Sequence, residues 1–217
     1  MPFLSEPSFD KSTMMEEKNH SHSVPENRHG DSIDTETSRV FRDTAEARAL
    51  FNRAKLRLFD VNRWHECSGE QLAHFMLADT TGNQVPGPAQ EGHYIKIDIP
   101  GPGTQKGDGF DWVIIEEVKE ERTGTTESLA LRVRPADDPT SEGHDTTHFY
   151  SKESTSTFIV AIDQLTVSAG VYDRNLEANP ESDNLFDKVR NAIIGFIGKK
   201  ALSVIQWKVF TEGLLAD

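Results

Sequence analysis

The sequence predicts an α+β protein, in which an antiparallel, curved β-sheet of about six strands packs against an N-terminal helix and a long C-terminal helix. Two patterns support this prediction. Residues 183–215 carry apolar side chains mostly three or four positions apart, which is typical of an amphipathic helix. Residues 72–172 instead contain short alternating segments separated by turn residues, as half-buried strands do. A small β-barrel with two helices is the alternative architecture for the same elements.

The N-terminal helix is predicted to begin after Asp43. Asp43 and Glu46 have the spacing of a helix capping pair, and apolar residues then recur on one face. Trp64 follows as a large anchor near the end of this helix. The predicted core face of the helix consists of Ala47, Leu50, Phe51, Ala54 and Leu58.

Seven short segments between the two helices carry strand signals. The clearest is a hairpin joined across Asp163 and Gln164, because both of its arms alternate apolar and small or polar residues. The segments are 75–77, 94–99, 112–118, 128–134, 148–152, 157–162 and 166–172.

The C-terminal helix is predicted to start at Asp183 or Asn184, either of which can cap it. Gly195 and Gly198 each cost about 1 kcal/mol relative to alanine in a helix, so a kink is expected there. The inward residues of this helix are predicted to form either core or one wall of a ligand cavity. They are Phe186, Val189, Ile193, Ile197, Leu202 and Ile205.

Charge and cysteine content restrict the possible partners. The chain has 217 residues and a formal net charge of −13, which opposes binding to nucleic acid or to anionic membrane surfaces. No apolar run approaches the roughly twenty residues of a membrane span. The opening residues lack a signal-peptide pattern, and Cys67 is the single cysteine, so a cytoplasmic location is expected.

The first 39 residues are rich in Ser, Glu, Asn and His and follow no apolar period. They are predicted to form a disordered acidic tail, followed by a single domain over residues 40–217. The histidines at 20, 22 and 29 do not complete a metal site with cysteine or carboxylate ligands. No metal or cofactor is therefore predicted, and the dinucleotide, P-loop and hydrolase motifs are also missing from the sequence.

Polar residues on the strands provide a candidate ligand-binding face. Arg132 and Arg134 occupy alternate positions of one strand and therefore share a face, where two guanidiniums could bind a carboxylate or phosphate head group. A solvated face is the alternative interpretation, with both arginines paired to Glu116 or Glu120. The full candidate set is Trp112, Arg132, Arg134, His148, Tyr150, Tyr172, Ile193 and Ile197.

The order of these elements resembles the helix-grip fold of the START and Bet v 1-like (SRPBCC) superfamily. The resemblance rests on the helix with Trp64, the meander from Leu72 to Tyr172 and the final helix ending at Leu215. It implies a small hydrophobic or amphipathic ligand held between sheet and terminal helix. One departure is that a strand normally precedes the first helix of this fold, and only the short segment 38–42 is available for it.

Three functional hypotheses follow. The first is a non-enzymatic cytoplasmic binding protein for a small hydrophobic or amphipathic ligand. The second is a protein-interaction or assembly component that uses the acidic tail and exposed strand edges. The third is a hydrolase or cyclase built on the same cavity, with Asp111, His148 or Tyr172 as acid or base. The sequence makes no prediction of oligomeric state.

Overall fold

The structure is a computed structural model that describes residues 22–69, 73–98, 110–141, 150–177 and 199–217. It contains seven strands and three α-helices within these ranges. The strands are β1 (Asp31–Val40), β2 (His74–Ala78), β3 (Tyr94–Asp98), β4 (Asp111–Thr123), β5 (Thr126–Pro135), β6 (Thr155–Asp163) and β7 (Thr166–Leu176). The helices are α1 (Thr44–Phe59), α2 (Trp64–Ser68) and α3 (Lys199–Leu214), with a 3₁₀ turn at Val61–Arg63.

All seven strands belong to one antiparallel sheet in the order β1-β7-β6-β5-β4-β3-β2. The predicted α+β class with an antiparallel sheet is confirmed. In the part of the chain that the structure describes, β1 and β2 are the two edges and do not pair with each other. The sheet is therefore open, and the alternative of a small barrel is wrong.

Strand β1 corrects the predicted tail boundary. Residues 31–39 were expected to be disordered, but β1 pairs with β7 along its length, with Thr35 opposite Val171. The strand is hard to recognise because Ile33 and Val40 are its apolar residues, whereas backbone hydrogen bonds hold a polar edge strand equally well. β1 also supplies the strand that the helix-grip order requires before the first helix. The tail up to residue 21 lies outside the described residues.

Other predicted elements differ in extent. Tyr150 makes only an isolated bridge and residues 152 and 153 form a turn, so the described part of the predicted strand 148–152 is not a strand. β4 and β5 run further than expected because the charged run 119–122 continues the hairpin, with Glu121 opposite Ser128. The terminal helix is described from Lys199, and the predicted kink at residues 195–198 lies outside the described residues.

One face of the sheet packs on the helices and forms the main core. Trp64 lies at its centre, where its indole N–H donates to the Leu58 carbonyl over 3.1 Å. The Trp64 ring also contacts Phe75, Phe158 and Phe210, with centroid distances of 5.2, 4.9 and 4.9 Å. Because these rings come from β2, β6 and α3, the tryptophan joins the sheet to the terminal helix.

Local sequence fixes how the helices dock on this face. The Asp43 carboxylate accepts hydrogen bonds from the backbone N–H groups of Ala45 and Glu46, at 2.7 and 3.1 Å, and so caps α1 as predicted. On α3, Gly213 lies against α2. A Cβ at this position would lie 2.1 Å from the carbonyl oxygen of Cys67, so only glycine permits this close approach.

Candidate functional site

A cavity of about 90 Å³ lies between the sheet and the terminal helix. Most of its described wall is apolar and aromatic, and a few polar side chains also line it. The apolar wall includes Trp64, Phe75, Ile95, Val113, Phe158 and Trp207. The polar side chains are Asp111, Tyr150, Ser156, Asp173 and Gln206.

The best-defined polar group of the cavity is the Asp173 carboxylate. Ser156 and Asp173 are direct partners across β6 and β7 and therefore share a face. The Ser156 hydroxyl donates to Asp173 Oδ1 over 2.6 Å, and the Trp207 indole N–H donates to Oδ2 over 3.0 Å. Asp173 is only 3% exposed, so both of its oxygens are held in place away from bulk water.

Burial changes the acidity of this carboxylate. It raises the pKa of Asp173 to about 6, although the hydrogen bonds from Ser156 and Trp207 and the charge of Arg174 oppose the shift. At neutral pH Asp173 is therefore ionised, inside a largely apolar wall. Such a charge is costly in a core whose only role is to pack.

A second buried carboxylate faces the same cavity. Asp111 is 4% exposed and lies at the start of β4, opposite Ile97 of β3. Asp111 and Asp173 come from strands separated by β5 and β6, so two acids far apart in sequence line different parts of the same cavity wall.

The predicted site residues divide between the two faces of the sheet. Tyr150 lines the cavity. Trp112 and Tyr172 are buried on the opposite face, and the Trp112 ring meets Tyr94 at a centroid distance of 6.4 Å. His148, Ile193 and Ile197 lie outside the described residues.

Arg132 and Arg134 also lie on the face away from the cavity. The Nε groups of both arginines pair with Glu116, and a guanidinium nitrogen of Arg132 is 2.9 Å from Glu117. Burial raises the pKa of Glu116, but the hydrogen bonds and charges of the two arginines outweigh this and hold it below its usual value. This arrangement corresponds to the alternative interpretation, in which the arginines are engaged in cross-strand ion pairs.

Tyr172 cannot share a site with Asp111. Its hydroxyl donates to Glu36 Oε2 over 3.2 Å on the outer face, and burial raises the pKa of this phenol above its usual value. Asp111 points to the cavity on the helix side. The two described residues of the acid–base set in the hydrolase hypothesis, Asp111 and Tyr172, therefore lie on opposite faces of the sheet, and His148 lies outside the described residues.

Sequence reasoning missed Asp173, Ser156 and Trp207 as site residues. A signal was available, since the alternation that turns Val167, Ala169 and Val171 inward also turns Asp173 inward. Trp207, the partner of Asp173 on the terminal helix, could not be found in this way, because strand periodicity does not indicate which helical side chain contacts a strand residue.

The described ranges of the chain contain neither a cluster of metal-ligating side chains nor a membrane-spanning helix. Within those ranges, no group of three or more His, Cys, Asp or Glu side chains could hold a metal ion. Among the same residues, no helix combines the length and apolarity needed to cross a membrane.

The element order, with a strand and helices before a six-stranded meander and a final helix, confirms the predicted resemblance to the helix-grip fold.

No family model and no curated protein sequence matches the chain. Similar solved structures include a hypothetical protein from Helicobacter pylori, with 12% identity and a TM-score of 0.49 over 99% of this chain and 97% of that one. Another is major latex-like protein 151 from Panax ginseng, with 13% identity and a TM-score of 0.35 over 75% and 95% of the chains. A third is Ara h 8.0201, with 8% identity and a TM-score of 0.32 over 82% and 98%.

Proposed function

We propose that this protein is a non-enzymatic binding protein for a small hydrophobic or amphipathic ligand, held between the sheet and the terminal helix. The observation that carries the proposal is a cavity with a mainly apolar wall that retains a buried, hydrogen-bonded carboxylate. Small-molecule sites typically combine these two features, since apolar walls provide affinity and a few fixed polar groups provide orientation.

The size of the cavity limits what it can hold. An apolar cavity of about 150 Å³ can bind benzene, which has six heavy atoms, and this cavity has about 90 Å³. This is enough for a group of about three to five heavy atoms. The ligand is therefore either a small molecule or a larger one that places one end in the cavity.

The empty volume and the buried charge of Asp173 also favour a binding role of this site over a packing role. A well-packed core excludes both empty volume and unneutralised charge. An aliphatic residue at position 173 would contribute to the core without the cost of a buried charge.

The single cysteine, Cys67, supports the cytoplasmic location expected from the sequence.

An NMR titration with 1-butanol tests the proposal. The indole N–H signals of the protein are followed while the alcohol is added, and the Trp207 signal is expected to shift saturably because this ring lines the cavity. Val133→Phe should abolish the shift, since Val133 lines the cavity and the larger ring would fill it.

Leu131→Phe is the matched control. Leu131 is buried on the same strand and the same face but does not line the cavity, so this variant is overpacked to a similar degree and should still bind. The proposal fails if the wild-type protein shows no saturable shift, or if Val133→Phe binds the alcohol as well as Leu131→Phe does.

A further inference from the structure

We infer that the ligand carries a protonated amine, which the cavity binds at the Asp173 carboxylate while the apolar part of the ligand packs against Phe158 and Trp207. This inference rests on the proposed function and adds the chemical class of the ligand. It follows from the hydrogen-bonding capacity of the carboxylate, the charge around the cavity and the rings beside it.

The Asp173 carboxylate has capacity for a further donor. An ionised carboxylate offers about four acceptor positions. Among the described residues, its side chain accepts one hydrogen bond from Ser156 and one from Trp207, each on a different oxygen. These two donors fix the orientation of the group before a ligand arrives, which lowers the entropic cost of binding.

The charged residues that line the cavity in the described part of the chain are all acidic. Asp111 and Asp173 both line it, and no Lys, Arg or His occurs among the lining residues that the structure describes. The nearest basic neighbour in sequence, Arg174, has its guanidinium on the other face of the sheet, paired with Asp34. From the described lining residues, a ligand carboxylate or phosphate would meet only like charge, whereas an ammonium group would be attracted.

The aromatic wall favours the same class of ligand. The Phe158 and Trp207 rings lie edge to face with centroids 5.3 Å apart, and both line the cavity. Aromatic faces attract alkylammonium groups as well as apolar chains. A cation with a short apolar body therefore matches both the charge and the surface of the site.

Three probes of the same chain length test the inference: butylammonium, 1-butanol and butanoate. Each is titrated at pH 7.5 and followed through the Trp207 indole N–H signal. Butylammonium is expected to bind about tenfold more tightly than 1-butanol. Both molecules can donate to the ionised carboxylate, but only the ammonium group adds the attraction of opposite charges in a site shielded from water. Butanoate is expected to bind most weakly.

Two variants assign the preference to the cavity. Asp173→Asn should lower butylammonium affinity about tenfold, with a smaller change for 1-butanol, so that the preference for the amine is lost. Asp34→Asn changes the net charge equally on the opposite face and should leave the preference intact. Asp111→Asn removes the charge of the second carboxylate that lines the cavity and should lower butylammonium affinity several-fold.

The outcomes separate the two proposals. Equal binding of amine and alcohol, or tighter binding of butanoate, would overturn the inference and leave the proposed function standing. Unchanged butylammonium binding in Asp173→Asn would also overturn it, whatever the effect of Asp111→Asn. If none of the three probes binds the wild-type protein, it is the proposed function that fails.

Discussion

The indole N–H of Trp207 donates a hydrogen bond to Asp173 Oδ2 over 3.0 Å, and this bond joins the terminal helix to strand β7. Both residues line the cavity, so the same contact docks the helix and shapes the candidate site. Helix docking and the proposed ligand binding would therefore both depend on one buried carboxylate.

Trp207→Phe should destabilise the protein at pH 7.5. The substitution keeps an aromatic ring but leaves one carboxylate oxygen without its donor, which costs about 1–3 kcal/mol in a buried site. Urea unfolding measures the change. Tyr172→Phe is the control. It removes one hydrogen-bond donor on the opposite face of the sheet, and it should not alter the NMR signal of the Trp207 indole N–H. Equal stability of Trp207→Phe and wild type would show that the bond does not support helix docking.

Asp173 should make the protein less stable as pH rises from about 4 to about 6. Its pKa is raised to about 6 in the folded protein, from an ordinary value of 3.8, so the folded state holds the proton more tightly than the unfolded state does. Stability from this group is full below pH 4 and is lost as pH rises through 6, by about 3 kcal/mol in total. Among the charged neighbours, Arg174 lowers the pKa of Asp173 and Asp34 raises it, and Asp111 lines the same cavity.

Asp173→Asn isolates this contribution. The variant lacks the titrating group, so its stability relative to wild type should increase between pH 4 and pH 7. Urea unfolding of both proteins across this range gives the difference directly. Parallel stability curves would contradict the assignment of the raised pKa to Asp173.

The same titration affects the inferred ligand. Asp173 loses its charge as pH falls below about 6, whereas an alkylammonium group stays protonated. Butylammonium affinity should therefore weaken several-fold between pH 7.5 and pH 5, with a smaller change for 1-butanol. A pH-independent ratio of the two affinities would mean that the charge of Asp173 does not select the amine.

Glu116→Gln should reduce stability without changing ligand binding. Glu116 pairs with Arg132 and Arg134 on the face away from the cavity, and a partly buried pair of this kind contributes about 1 kcal/mol. Unfolding measurements should show this loss, and 1-butanol affinity should stay the same. A loss of binding would place the ligand on the outer face instead.

Ile33→Ala tests strand β1. Ile33 is 5% exposed, and removing its buried side-chain atoms should cost about 2 kcal/mol. Val40→Ala at the end of the same strand should cost less than about 0.5 kcal/mol, because Val40 is 76% exposed. Equal, negligible effects of both substitutions would mean that residues 31–40 behave as a tail.

Periodicity predicted the fold wherever one face of an element is apolar. The α1 stripe beginning at Ala47 and the inward faces of β5, β6 and β7 all follow this rule. The rule failed at β1, because an edge strand held by backbone hydrogen bonds needs little apolar surface. It also led to an expected strand at 148–152, whose described part consists of an isolated bridge at Tyr150 and a turn at residues 152 and 153.

The candidate site was less accessible to sequence reasoning. Alternation correctly placed Arg132 and Arg134 together on one face, but it could not tell which face lines a cavity. The pairing of Asp173 with Trp207 depends on how the terminal helix crosses the sheet. Tertiary packing sets that crossing, and no local pattern encodes it.

The most direct test of ligand binding in this cavity is an experimental structure of the protein determined with saturating butylammonium. The account predicts the amine nitrogen within about 3 Å of an Asp173 carboxylate oxygen, with the butyl chain against Phe158 and Trp207. An empty cavity at saturation, or a bound molecule beside Arg132 and Arg134 on the opposite face, would contradict it.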